Sequence, residues 1–187
     1  MVTIRHERPA DRAARESLLD LSFGACRFAK TSERLRDGRR PAEGLSLVAT
    51  HRGRVVGTVR LWHVAIKERP ALLLGPLAVH PDWRKCGAGA ALMQTVLTDA
   101  EDRGHAAVLL VGDAPYYARF GFSAEKTSQL LLPGPYERDR LLACEIKLGA
   151  LDDARGMIVA TGLPLAPFSR RVLAPAPVRP FRLPQAA

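Results

Sequence analysis

Three short runs in this chain carry residue types at spacings that chemistry can use. In Arg84-Lys85-Cys86-Gly87-Ala88-Gly89 the two glycines follow an apolar stretch and precede an amphipathic one. Neither glycine has a side chain to block a close backbone approach. A helix starting there would add unpaired N–H groups and a partial positive charge, so a pyrophosphate would fit. Arg84 could add a charged donor. The same run also reads as an ordinary strand-to-helix turn in which the glycines serve geometry alone. The second run, Leu72 to Val79, is apolar but broken by Gly75-Pro76. Proline cannot donate to a ladder and glycine tolerates unusual dihedrals, so the pair predicts a bulge or a parting of strands that leaves amides free for a ligand. The third run, Tyr116-Tyr117-Ala118-Arg119-Phe120-Gly121-Phe122, brings two phenols together. Cys86 sits where thiols ionise readily, but among phosphate-binding amides it reads as a spacer and not as a nucleophile. His63, Glu68 and His80 are the candidate bases, with a water relay as the alternative.

The elements that must position these runs follow from periodicity. From Gly89 the apolar positions Leu92, Met93, Val96, Leu97 and Ala100 repeat three and four apart, which predicts a helix from near Gly87 to Gly104. Thr3-Ile4-Arg5 reads as a strand, and Pro9-Ala10-Asp11 opens a helix with Ala14, Leu18, Leu19 and Phe23 on one face and Gly24 at its end. Leu45–Thr50 and Val55–Val64 read as a hairpin turning at Gly53. The continuous apolar run Ala106–Val111 predicts a strand covered on both faces, parallel to the Leu72 strand through a right-handed crossover. A short helix from Pro115 to Gly121 and strands near Gln129–Leu132 and Leu141–Leu148 complete the pattern. Lys30–Arg40 is polar, and reads as a solvated charged helix or a mobile loop bordering an acceptor site. The expectation is one α/β (α+β) domain over residues 1–150, with a mixed, mostly antiparallel seven-stranded sheet and flanking helices. The sheet should part between its fourth and fifth strands, those of Leu72 and Ala106.

Residues 151–187 form a Pro/Arg-rich extension holding six of the chain's 14 prolines. Such a stretch predicts extended segments without a core. Even so, Met157, Ile158, Val159, Leu163, Leu165 and Phe168 suggest that its early part packs onto the domain or a neighbouring subunit, as in a homodimer.

The formal charge of +9 could attract a polyanion, but five of the 28 basic residues are lysine and the rest arginine, spread without an aromatic-interleaved cluster. A nucleic-acid partner therefore rests on charge alone. Three scattered cysteines suit neither a disulfide framework nor a metal site. The N-terminus lacks the apolar core of a signal peptide, and the Leu72–Val79 run is too short to cross a bilayer. The expected location is the cytoplasm, with no membrane partner and no metal.

Taken together, the Leu77-Ala78-Val79-His80-Pro81 strand end, the Arg84-x-x-Gly87-x-Gly89 loop and the later Tyr117-x-Arg-x-Gly121-Phe122 resemble the GNAT superfamily of acyl-CoA-dependent N-acetyltransferases, in its small bacterial-type branch. The resemblance covers about residues 2 to 148 and implies acetyl-CoA as acyl donor to a small-molecule or peptide amine. By the resemblance, Leu77, Ala78 and Val79 bind the pantetheine arm and thioester through the backbone. Arg84, Lys85, Cys86, Gly87, Ala88 and Gly89 would hold the pyrophosphate, and Tyr117 would protonate the departing thiolate. Many members carry an asparagine before the tyrosine; the shorter connection here offers only Asp113. A non-catalytic acyl-CoA-binding module and an enzyme acetylating a charged-RNA or protein amine are the alternatives. Acceptor specificity is expected in Lys30–Arg40 and Thr127–Arg140.

Overall fold

In the computed structural model, which describes residues 1–165, nine strands of the described residues form one sheet. The strands are β1 (Thr3–His6), β2 (Ser46–His51), β3 (Arg54–Ile66), β4 (Arg69–Leu74), β5 (Ala78–Val79), β6 (Ala107–Val111), β7 (Leu130–Leu131), β8 (Leu141–Glu145) and β9 (Gly156–Ala160). The helices are α1 (Arg12–Phe23), α2 (Ala88–Asp102) and α3 (Ala114–Tyr117). The main order is β1-β2-β3-β4-β6-β8, with β5 and β9 also on β3 and β7 beside β9. Only β4·β6 and β7·β9 are parallel, so the sheet is mixed and mostly antiparallel as expected. The β2–β3 turn has positive φ at both central residues, 45° at Arg52 and 79° at Gly53, the handedness that matches strand twist in a two-residue hairpin.

The pleat explains the unbroken apolar runs of β4 and β6. Leu72, Leu74, Val108 and Leu110 turn toward α2, where Leu92, Met93 and Val96 are fully buried. Leu73 and Leu109 turn to the opposite face, against Trp62, Leu130, Leu141 and Ile158. Both faces are covered, so neither position of the alternation is polar. Each of the large α2 side chains contributes about 1.5–3 kcal/mol by leaving water.

The structure corrects three expectations. The sheet has nine strands where seven were expected, because the Leu72 strand resumes as β5 after its interruption and because β9 joins. The stretch after residue 150 is not coreless: β9 pairs Val64, Ala65 and Ile66 of β3, and Leu151, Ala154 and Ile158 are buried, so its early part packs onto the domain at Ile158 while Met157 and Val159 stay exposed. Strand β3 outruns β2, which pairs only as far as Arg60, and β9 takes the edge left open beyond it. Third, Lys30–Arg40 is neither a solvated helix nor a free loop. Thr31–Leu35 is a short 3-10 turn, and Thr31, Leu35 and Arg36 are buried. Phe168 and the later Arg-Pro run lie outside the described residues.

Candidate active site

The parting lies where β4 gives way to β5. Parallel pairing of β4 with β6 covers Leu72↔Val108 and Leu73↔Leu109 only. Beyond it, a cavity of about 390 Å³ opens between Leu74–Leu77 and Leu110–Gly112. Along β3, Val59 and Arg60 face three residues, Gly75, Pro76 and Leu77, before Ala78 resumes pairing with Thr58. That extra residue is a bulge. Its ends are pinned: Gly75 N–H donates to the Arg60 carbonyl at 2.8 Å, and the Gly75 carbonyl accepts from Trp62 Nε1 at 2.5 Å.

The pinning decides which amides remain free. His80 N–H donates to the Val56 carbonyl at 2.8 Å, so by antiparallel alternation the Ala78 groups point at β3 while those of Leu77 and Val79 point the other way. Among the described residues the Leu77 amide has no acceptor. Ala78, expected to bind cofactor, is spent on the ladder instead, and its side chain packs under Leu18 and Leu19.

The glycine loop follows directly. His80 Nδ1 accepts from the Asp82 amide at 3.3 Å, starting a 3-10 turn over Pro81–Trp83. Positive φ at Lys85 (66°) and Gly87 (79°) then curls the chain into α2, whose first bond is Ala91 N–H to the Gly87 carbonyl at 2.9 Å. Among the described residues, no protein acceptor meets the amides from Lys85 through Ala90. This is a backbone concavity at a helix N-terminus, with the partial charges an anion needs. Arg84, Lys85, Cys86 and Gly87 are exposed, Ala88 buries its methyl in the core, and Gly89 is half-buried. The Arg84 Nε lies 3.4 Å from the Val79 carbonyl.

Both tyrosines border the cavity, in different ways. The Tyr117 ring lies flat where a Cβ on Gly112 would collide with it, and Phe122 meets it edge-on at 6.0 Å. Burial, then Tyr116 and Asp113, push its phenol up to about 12, so it stays protonated at neutral pH. Tyr116 points back to the loop: its hydroxyl lies 2.9 Å from where a Gly89 Cβ would be. The sequence reading gave Tyr116 no role. The signal available was the small residue at position 89, which makes room for that hydroxyl.

The three candidate bases do not reach the cavity. His63 sits against His105 with ring centroids 5.5 Å apart, Glu68 is in the exposed β3–β4 turn, and His80 caps the Pro81 turn. The carboxylates lining the cavity are Glu33 and Asp113. Its cations, Arg27, Lys30, Arg36 and Arg140, come from segments that the sequence marked only as specificity regions or left unmarked. Among the described residues, no helix is long and apolar enough to cross a membrane.

A family model described as an acetyltransferase (GNAT) domain matches residues 42–124. The chain is 30% identical over 161 residues to the uncharacterized N-acetyltransferase YhbS of Escherichia coli (strain K12), spanning 83% of this chain and 93% of that protein. The crystal structure of the Escherichia coli YhbS protein in complex with CoA has a TM-score of 0.73 at 30% identity, covering 85% of this chain and 89% of that one. A GNAT family acetyltransferase from Brucella melitensis, in complex with acetyl-CoA, has a TM-score of 0.56 at 29% identity, covering 81% and 99%. The chain belongs to the GNAT acetyltransferase family.

Proposed function

We propose that this protein transfers an acetyl group from acetyl-CoA to a primary amine by direct attack, with no acyl-enzyme. The observation that carries the reading is a line of amides without protein acceptors among the described residues, Leu77 and Lys85–Ala90, with the Val79 groups turned away from β3, beside a cavity holding a protonated phenol. On this reading the Lys85–Ala90 amides and Arg84 take the donor's pyrophosphate, and the relatives solved with CoA and acetyl-CoA support such a ligand. The Leu77 and Val79 backbone holds the pantetheine arm and thioester. As the amine attacks, negative charge grows on the thioester oxygen, where preorganised N–H donors stabilise it. Collapse releases a thiolate, which Tyr117 protonates. Cys86 stays a spacer, and Glu33, Asp113 or a water relay takes the ammonium proton. The catalytic unit runs past residue 150 to include β9. A cytoplasmic location would keep the free cysteines Cys26, Cys86 and Cys144 reduced.

The test is thiol release from acetyl-CoA across an unbiased amine panel, beside calorimetric binding of acetyl-CoA. Turnover on at least one amine is expected. Tight binding with no turnover on any amine would leave a non-catalytic acyl-CoA module.

A further inference from the structure

The wall facing the proposed thioester site carries charges that the fold does not use up. Arg36 is the most telling, since its side chain is only 6% exposed. Its Nε donates to the Ser32 carbonyl at 3.2 Å, and its Nη2 meets Ser32 Oγ at 3.3 Å and Glu33 Oε2 at 2.8 Å. Nη1 has no hydrogen-bond partner among the described residues; it lies 3.3 Å from where a Gly75 Cβ would be, at the bulge itself. Lys30 makes no ion pair among the described residues and rests its Nζ 4.5 Å above the Phe23 ring. Arg140 has only long bonds, 3.4 Å to the Gly112 carbonyl and 3.5 Å to the exposed Glu137 carboxylate. Arg27, the fourth cation of this cavity, is spent on Glu16 and Asp20.

Lys30, Arg36 and Arg140 therefore line one small cavity whose own carboxylates are Glu33 and Asp113, three cations against two anions. Burial first, then the charges of Arg36 and Arg140, hold the Lys30 ammonium below its ordinary range. Arg36 alone of the three is buried, and a buried guanidinium with an open donor is costly unless an anion meets it. Arg36 and Tyr117 line the same cavity of about 390 Å³, so a single small molecule can meet both.

The geometry points to an acceptor anchor: Arg36, flanked by Lys30 and Arg140, holds a carboxylate carried by the amine that is acetylated, so the acceptor is a small amino acid. This rests on the transfer reading above. A carboxylate suits the place because the open Arg36 Nη1 can bond one of its oxygens while Lys30 or Arg140 meets the other. A phosphate is larger and carries more charge, and Glu33, paired with Arg36, already sets a carboxylate beside the site.

The experiment uses the full chain and ω-amino acids from glycine to 5-aminopentanoate, each against its own amide and against the aminoalkylphosphonate of the same length. Binding to the CoA-loaded protein is measured by calorimetry, and turnover by thiol release. At least one amino acid should be preferred over its amide about tenfold, or ~1.4 kcal/mol, by both readouts. That preference should fall to about threefold or less in Arg36→Gln and in Lys30→Met, a loss of at least roughly the net worth of one hydrogen bond. Lys30 and Arg140 are exposed, so Lys30→Met and Arg140→Gln carry the test if Arg36→Gln does not fold. Equal binding of every acid and its amide would overturn the anchor, as would a preference that survives all three variants. A phosphonate bound about tenfold more tightly than its carboxylate would overturn the carboxylate assignment. Preferential binding without turnover on any amine would leave the anchor standing and remove the transfer reading.

Discussion

Two regions on either side of the bulge are built from different materials. The wall proposed to take the donor, which leaves the cavity at Leu77 and runs to Ala90, presents main-chain amides, with a methyl at Ala88 and no side chain at Gly89. The wall proposed to take the acceptor, the turns around Thr31–Leu35 and the loop before Arg140, presents charged side chains, tied together over long sequence distances. There the Thr31 hydroxyl donates to the Pro135 carbonyl, and Arg34 Nη1 reaches the Pro133 carbonyl at 2.6 Å. A backbone site tolerates drift in sequence as long as glycines and a bulge are kept. A side-chain site changes ligand with each substitution.

The largest expected effect tests whether the walls meet at one phenol. Tyr117→Phe keeps the ring packed on Gly112 and removes only the proton donor. It should lower kcat about a hundredfold, with acetyl-CoA affinity nearly unchanged. An unchanged kcat, with chemistry shown to be rate-limiting, would pass the role to water. The next effect belongs to the donor wall alone. Gly89→Val places a Cβ 2.9 Å from the Tyr116 hydroxyl and 3.5 Å from Val79 Cγ2, at the mouth of the amide concavity. Acetyl-CoA binding should weaken by at least about tenfold, or ~1.4 kcal/mol, measured by calorimetry on a variant with native circular dichroism.

The same contrast explains what could be read from the sequence. Gly75-Pro76, Gly87 and Gly89 betray backbone geometry locally, so the bulge, the loop and the start of α2 were legible from composition and period. The α2 face was legible too, since Leu92, Met93 and Val96 repeat at the helical interval. The packing of Ile158 was legible as an apolar residue in a polar tail, but the pairing of β9 was not, because its partner edge exists only where β3 outruns β2. Arg36 was hidden for a related reason: a charged residue in a polar run looks solvated until Gly75 and Glu33 close around it. The pairing of Ala78 with Thr58 was not legible because the residues of a strand look alike in sequence, and only ladder register tells an amide facing β3 from one facing the opening.

A smaller effect concerns what fixes the N-terminal segment that leads, through α1, to the acceptor wall. Arg5 holds Asp11 through two bonds, at 2.7 and 2.8 Å, joining β1 to the start of α1. The Arg5 guanidinium, with the Arg8 amide, pulls the Asp11 carboxyl down to about 2. A depressed carboxylate contributes stability that is present above its unfolded pKa and lost as pH falls through the folded one. Urea unfolding should therefore show an extra loss between about pH 4 and 2 that Asp11→Asn abolishes. Because the Arg5 side chain is 26% exposed, the difference should be about 1 kcal/mol. Parallel pH profiles for both proteins would show that the pair holds nothing.

The smallest effect divides the two phenols. From adjacent positions on α3, Tyr116 and Tyr117 stand nearly perpendicular, with ring centroids 4.9 Å apart and planes at 83°. One ring is packed on Gly112 inside the cavity, while the other reaches Gly89 at the first turn of α2. If the donor wall binds and the cavity reacts, the two hydroxyls should separate in kinetics. Tyr116→Phe removes a polar tip beside the amide concavity and leaves the ring under the Arg119 guanidinium, 4.2 Å from its centroid. It should raise the KM for acetyl-CoA about threefold, or ~0.6 kcal/mol, with kcat intact, because only uniform binding is lost. A fall in kcat with unchanged KM would put Tyr116 at the reacting sulfur and Tyr117 in the scaffold, reversing the assignment.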